Sequence, residues 1–289
     1  MGRWNGGGAY AALAVVCAVA ASGSPRAEER AIPDATEVEE ALPEGGRLTG
    51  RELYERFLAN RFKQSSQDLR IISRDPGGSE QQSIFSILLR DFRDEDDNAV
   101  GGVLAKSLIE VTDPFDMRHT TYLLIAKDPG PDDQFIYQPS QRQVRRVDLK
   151  STSLLGTDYT FNDIAFQNIE DAEYVRLPDE SIDGATVYVV EARLKPSVDT
   201  EYHRTITYMD QEHYVPLRQR YWDDYDVEIK EMRAPPSTMR DFDGVWVATE
   251  STMRDLRQQT SSTLFVEAID TEPDLGDRHF SLRRLSRRH

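Results

Sequence analysis

The chain carries 51 acidic side chains and five histidines, enough for acid–base or metal chemistry if spacing brings them together. A metal site needs three or four His, Cys, Asp or Glu ligands converging on one point. The nearest approach to such a cluster is Asp210-Gln211-Glu212-His213, which lies between two strand-like segments and reads as a polar hairpin turn. Asp94-Glu95-Asp96-Asp97 and Asp223-Asp224 read as turn acids in the same way. His119, His203, His213, His279 and His289 are scattered. Glycoside chemistry asks for two opposed carboxylates, and no spacing singles out a pair. A nucleophile elbow, a P-loop and an HExxH helix are all missing. The expectation is a protein that is not an enzyme and uses no metal or cofactor.

The N-terminus explains the only cysteine. After Arg3, residues 9–21 (AYAALAVVCAVAA) are apolar and uncharged, and the small residues Ser22 and Gly23 follow. This is the pattern of a secretory signal peptide, too short for the roughly 20 residues that span a bilayer. We assign residues 1–23 to that signal and expect export to a periplasm-type compartment. A lipid anchor at Cys17 is the alternative, disfavoured by the bulky Val16 where a small residue is wanted. From Glu28 onward the chain is acidic, with 33 Lys+Arg against 51 Asp+Glu, a net charge of −18. Such a field disfavours nucleic acid and anionic membrane surfaces as partners.

Residues 24–48 are acidic, hold Pro33 and Pro43, and have almost no large apolar side chain, so they read as a flexible linker. Order starts with Thr49-Gly50-Arg51-Glu52, a capping box, followed by Leu53, Phe57, Leu58 and Phe62 on one stripe. The spacing predicts a helix over residues 51–64. Nearly all the rest reads as strand: 69–73, 83–92, 103–112, 120–127, 134–138, 144–148, 173–177, 186–193, 202–209, 215–221, 226–232, 245–254 and 263–270. Asp75-Pro76-Gly77-Gly78, Asp128-Pro129-Gly130, Asp183-Gly184 and Asp243-Gly244 punctuate them as turns. In residues 215–221, Val215, Leu217 and Tyr221 share one face while Arg218 and Arg220 share the other, as in a sheet wet on one side. These features predict a mainly β domain over residues 49–285, one curved antiparallel sheet with an N-terminal helix. A basic tail at residues 286–289 follows. So many strands with one helix leave apolar inner surface, a ligand cavity by default.

Two stretches are unusual for loops. One runs Asp113-Pro114-Phe115-Asp116-Met117-Arg118-His119-Thr120-Thr121-Tyr122-Leu123-Leu124 and continues through Phe135-Ile136-Tyr137-Gln138-Pro139-Ser140-Gln141-Arg142-Gln143-Val144-Arg145-Arg146-Val147. The other is Leu155-Gly156-Thr157-Asp158-Tyr159-Thr160-Phe161-Asn162-Asp163-Ile164. In order, and with the ending Phe280-Ser281-Leu282-Arg283-Arg284-Leu285, they resemble the outer membrane lipoprotein-sorting protein family, the LolA-like group. His119 stands where that family has glycine, Thr157 where it has serine, and Asn162 where it has an acid.

The resemblance implies a half-open β-barrel with a covering loop and an apolar cavity for acyl chains. It implies that Tyr122, Leu124, Phe135 and Tyr137 line the cavity, and that Gly156, Asp158, Tyr159, Phe161, Asp163 and Ile164 form a loop that gates it. Arg142, Arg145 and Arg146 would contact a cargo head group or a partner. The plainer readings stand beside these: aromatics as ordinary core, the loop as a fixed plug, and arginines as a solvated face or as partners of Asp158 and Asp163. The function implied is a periplasmic carrier of lipid or lipoprotein acyl chains, partnered by a membrane transporter or an outer-membrane acceptor. A regulatory or scaffolding module of the same fold, and an exported hydrolase with an unrecognised site, are the competing classes.

Overall fold

The computed structural model describes residues 48–165 and 167–286. The signal segment with Cys17, the linker up to residue 47 and tail residues 287–289 lie outside them. Leu48, assigned to the linker, belongs to the fold: it packs beside the first helix, and its carbonyl accepts a bond of 3.0 Å from Arg176.

Helix α1 (Gly50–Ala59) starts at the expected capping box, with the Glu52 N–H donating to Thr49 Oγ1 and the Thr49 N–H to Glu52 Oε2. It stops five residues short of the predicted end. Asn60 caps it, and the Asn60 side chain exchanges two bonds of 2.8 and 2.9 Å with the Trp246 backbone, a long-range tie that takes the chain out of the helix. The start of α1 lies so close to the sheet that a Cβ on Gly50 would sit 2.6 Å from the Arg176 backbone nitrogen.

Six strands follow: β1 (Gln64–Arg74), β2 (Glu80–Asp91), β3 (Val103–Asp113), β4 (Thr121–Lys127), β5 (Asp133–Gln138) and β6 (Gln143–Arg146). After a long connection come β7 (Ala172–Ile182), β8 (Ala185–Leu194), β9 (Arg204–Asp210), β10 (Pro216–Trp222) and β11 (Glu228–Arg233). The last four are β12 (Met239–Phe242), β13 (Val245–Ala248), β14 (Glu250–Asp255) and β15 (Thr260–Asp270), ahead of a short helix α2 (Leu282–Leu285). The predicted strand at 245–254 is thus two strands, and β12 joins β13 in a hairpin outside the main sheet. Its turn, Asp243-Gly244, has φ of 53° and 88°, and Asp183-Gly184 has 49° and 87°, the pair of left-handed residues that a two-residue hairpin needs.

Thirteen strands form one antiparallel sheet, ordered β6-β5-β4-β3-β2-β1-β15-β14-β11-β10-β9-β8-β7. The short β6 and the β7 edge do not pair, so the barrel stays open, with α1 and the 147–171 connection as its covers. Directly paired residues share a face, and the register fixes two faces across the sheet. Tyr122, Ile109, Phe85, Ile71, Leu264, Met232, Tyr221 and Tyr174 point inward, where the covers pack. On the outer face of β2–β6, Leu108, Leu123, Phe135 and Tyr137 are capped by Leu275, Phe280 and Leu285 of the C-terminal segment. Among the described residues no helix is long and apolar enough to cross a membrane.

Candidate ligand-binding cleft

The connection between β6 and β7 determines where the inner face is filled and where it is open. Leu155 and Gly156 adopt φ of 56° and 77°, folding the loop back so that the Leu154 N–H donates 2.7 Å to the Tyr159 carbonyl. That fold drives Leu154 and Phe161, 0% and 2% exposed, into the core, with the Phe161 ring 5.0 Å from that of Tyr122. The Asp158 N–H donates to Ser262 Oγ at 2.9 Å, and its carboxylate accepts the hydroxyls of Thr260 and Ser262. The Tyr159 hydroxyl meets that of Ser251. This stretch is a plug bolted to β14 and β15.

Asp163 closes the plug. Its carboxylate accepts 2.6 Å from the Thr160 N–H and 2.8 Å from the Tyr202 hydroxyl, and the Lys230 ammonium lies 3.7 Å away. Lys230 also donates 2.9 Å to Glu201 and 3.0 Å to the Tyr202 hydroxyl. Burial works against the charge on Lys230, yet Asp163 and Glu201 hold its pKa above the ordinary lysine range.

Past Asp163 the inner face opens into a cleft between α1, the segment leading to β7, and β7–β10. Its walls include Tyr54, Phe57, Tyr174, Leu194, Tyr202 and Tyr221. Ring pairs Tyr54–Tyr174 and Tyr202–Tyr221 sit 4.5 and 4.7 Å apart. The Tyr54 hydroxyl donates to Gln167 and that of Tyr221 to Gln219. Burial pushes all four tyrosine hydroxyls above their ordinary range, so they stay neutral. The walls offer aromatic faces and uncharged hydroxyls, while Asp171 and Asp199 stand among the polar lining.

Asn162 and Ala165 also line a smaller pocket of about 370 Å³ on the other side of that segment, with Leu124, Phe161, Asp132 and Lys150. There the Asp132 Oδ1 accepts 3.1 Å from the Lys127 N–H, while Oδ2 is sealed from solvent without a hydrogen-bond partner.

The residues named from sequence divide. Tyr122 and Leu124 face inward as expected, Tyr122 beneath Phe161 and Leu124 in the smaller pocket. Phe135 and Tyr137 do not share their face: Tyr122 pairs with Ile136 and Leu124 with Gln134, which turns Phe135 and Tyr137 outward under the C-terminal segment. Arg142 sits exposed in the β5–β6 turn, Arg145 donates to Gln138 at 3.0 Å, and Arg146 pairs with Asp133 at 2.5 Å. Asp158 and Asp163 draw their partners from β15, Tyr202 and Lys230 rather than from these arginines. Gly156, Asp158, Tyr159, Phe161, Asp163 and Ile164 come together as the plug, with Ile164 8% exposed. The turn reading of Asp210 holds, since its carboxylate accepts the N–H groups of Glu212, His213 and Val215. Sequence reasoning missed the four cleft tyrosines, although Tyr54 stands three residues before Phe57 on the helix.

Solved structures share this fold. A DUF1329 family protein from Desulfovibrio piger superposes with a TM-score of 0.73 at 23% identity, covering 82% of this chain and 97% of that one. A putative outer membrane lipoprotein-sorting protein domain from Vibrio parahaemolyticus gives 0.72 at 21%, covering 82% and 98%. A LolA superfamily protein from Nitrosomonas europaea gives 0.64 at 21%, covering 82% and 99%. A family model described as "Uncharacterized protein" matches residues 104–287, and the chain belongs to that family. No curated protein matches the sequence.

Proposed function

We propose that this protein is a carrier that shelters an acyl chain of a lipid or lipoprotein in the tyrosine-walled cleft, without covalent chemistry. The observation behind this reading is an open, aromatic cleft on the inner face of a fold shared with a lipoprotein-sorting domain. Each methylene buried contributes about 0.8 kcal/mol, so ten give roughly 8 kcal/mol before the costs of ordering and association. Neutral tyrosine hydroxyls let the chain lie against the aromatic wall without burying a charge there. The apolar run at residues 9–21 fits a periplasmic workplace, with an envelope transporter or outer-membrane acceptor as the exchange partner.

The test is titration of the protein with a fluorescent fatty acid. We expect saturable uptake, lost in Leu194→Asp within the cleft and retained in Tyr225→Asp, whose side chain is 88% exposed on the β10–β11 turn. If the wild type takes up no probe, and native mass spectrometry of protein from its own compartment shows no acylated ligand, the carrier reading fails.

A further inference from the structure

Charge is spread unevenly over this acidic chain. Residues 134–147 hold no acid and carry Arg142, Arg145 and Arg146, and residues 278–289 hold no acid and carry five arginines. The fold brings residues 278–286 against the first stretch. Leu285 belongs to the apolar cluster on which Tyr137 and Val144 pack, and its carbonyl accepts 3.2 Å from Thr121 Oγ1 at the start of β4. Glu110 of β3 ties the β3–β4 turn to α2, with Arg284 at 3.2 Å and His119 at 3.7 Å. Thr121 pairs with Tyr137 and Tyr137 with Val144, so the β3–β4 and β5–β6 turns lie at one end of the sheet.

Acids at this end answer only part of its charge. Glu110 holds Arg284, Asp133 holds Arg146, and Asp116 stands in the same turn as Arg118. The exposed side chains of Arg142 and Arg283 have no ion-pair partner among the described residues, and Arg145 donates to Gln138 rather than to an acid. Apolar groups stand out beside them: Phe115 is 81% exposed, with the Arg118 guanidinium over its ring, and Leu282 is 46% exposed.

We propose that this arginine-rich end docks on a membrane surface of anionic phospholipid, arginines meeting phosphates while Phe115 and Leu282 enter the interface. Arginine forks match phosphate oxygens, and their stems lie along apolar surface. Phe115 and Leu282 are separate apolar points among cations, which suits insertion between head groups better than the packed apolar core of a protein interface. The negative charge of the whole chain does not prevent this contact. At physiological salt the Debye length is about 8 Å, so acids elsewhere on the molecule are largely screened from the docked end. The inference goes beyond the carrier reading, because contact with a membrane does not depend on what fills the cleft.

The experiment is sedimentation of the protein with vesicles of phosphatidylcholine alone, or of equal parts phosphatidylcholine and phosphatidylglycerol. We expect binding to the mixed vesicles at low salt, little to phosphatidylcholine, and release at about 1 M salt, where the Debye length is about 3 Å. Arg142→Gln and Arg283→Gln should each weaken binding about fivefold, the effect of withdrawing one basic residue from an anionic surface. Phe115→Ser should weaken it as well, by removing an inserted ring. Arg240→Gln, the same charge change on the exposed β12–β13 hairpin, should leave it unaltered. All four side chains are exposed, so the variants should melt with the wild type. No binding to the mixed vesicles overturns the proposal and leaves an acidic protein as the partner the charge would fit. Binding that survives both Arg142→Gln and Arg283→Gln overturns it too, as does an equal loss in Arg240→Gln, which would reflect net charge alone.

Discussion

Two halves of one sheet face are treated in opposite ways. Over the middle of β1–β4 and β14–β15 the inner face is packed by the plug, where Leu154 and Phe161 fill the hollow and Asp158 is held by two hydroxyls of β15, with pockets at the margins of the packing. Over β7–β10 the same face is left beside α1 with a cleft walled by tyrosines. Both halves are equally β, and both are covered. The difference is what the cover inserts: the plug sends apolar side chains down to the sheet, whereas the rim of the cleft supplies Asn162, Gln167 and Asn168. Filled apolar space stabilises, and open aromatic space is available to a ligand. The contrast is tested by changing one half at a time.

The largest effect belongs to the filled half. Phe161→Ala leaves a void against Tyr122 and should cost about 3–5 kcal/mol, read as a shifted midpoint in urea unfolding. A loss below about 1 kcal/mol would mean that the plug is not packed as core. Next comes the hinge between halves, where Lys230 and Asp163 have side chains 6% and 2% exposed. Lys230→Met strands the Asp163 charge, although Thr160 and Tyr202 still donate to it, so the loss should lie toward the lower end of the roughly 3–5 kcal/mol seen for broken buried pairs. Adding Asp163→Asn to that variant should recover much of the loss. If the double variant is worse than the single one, Asp163 is held by its hydroxyl and amide donors and Lys230 is incidental.

Features set by neighbouring residues were readable from the sequence and those set by distant partners were not, for physical reasons. Thr49 and Glu52 announce the helix start because a capping box is local, but the stop at Asn60 depends on Trp246, which no local pattern reveals. Within each strand the alternation is visible. Which parity faces inward is set between strands by register, and this is why Phe135 and Tyr137 fell on the wrong face. The partners of Asp158 lie about a hundred positions away on β15, so nearby arginines looked better than they are. The tyrosines of the cleft come from α1, β7, β10 and the β8–β9 connection, and only the fold assembles them. Asp132, inside Pro131-Asp132-Asp133, looks like any turn acid until its second oxygen is found buried.

The smallest effect has the opposite sign, and it comes from the buried oxygen of Asp132. The Asp132 carboxyl has a folded pKa of about 7, raised above its ordinary value of 3.8 chiefly by burial. The native state therefore keeps a proton that the unfolded chain gives up, and stability is lost as pH rises from about 4 to 7. Above 7 the whole cost is present; well below 3.8 it is absent. Asp132→Asn cannot ionise and still offers an oxygen to the Lys127 N–H, so without ligand it should be more stable than wild type at pH 8, by about 1–2 kcal/mol. Below about pH 3.8 the two should melt together. Comparing variant with wild type at each pH cancels every other titrating group. An equal difference at both pH values would mean that the gain has nothing to do with ionisation, and that Oδ2 is satisfied in solution. A gain confined to high pH would show that burying the ionised carboxylate costs the protein stability.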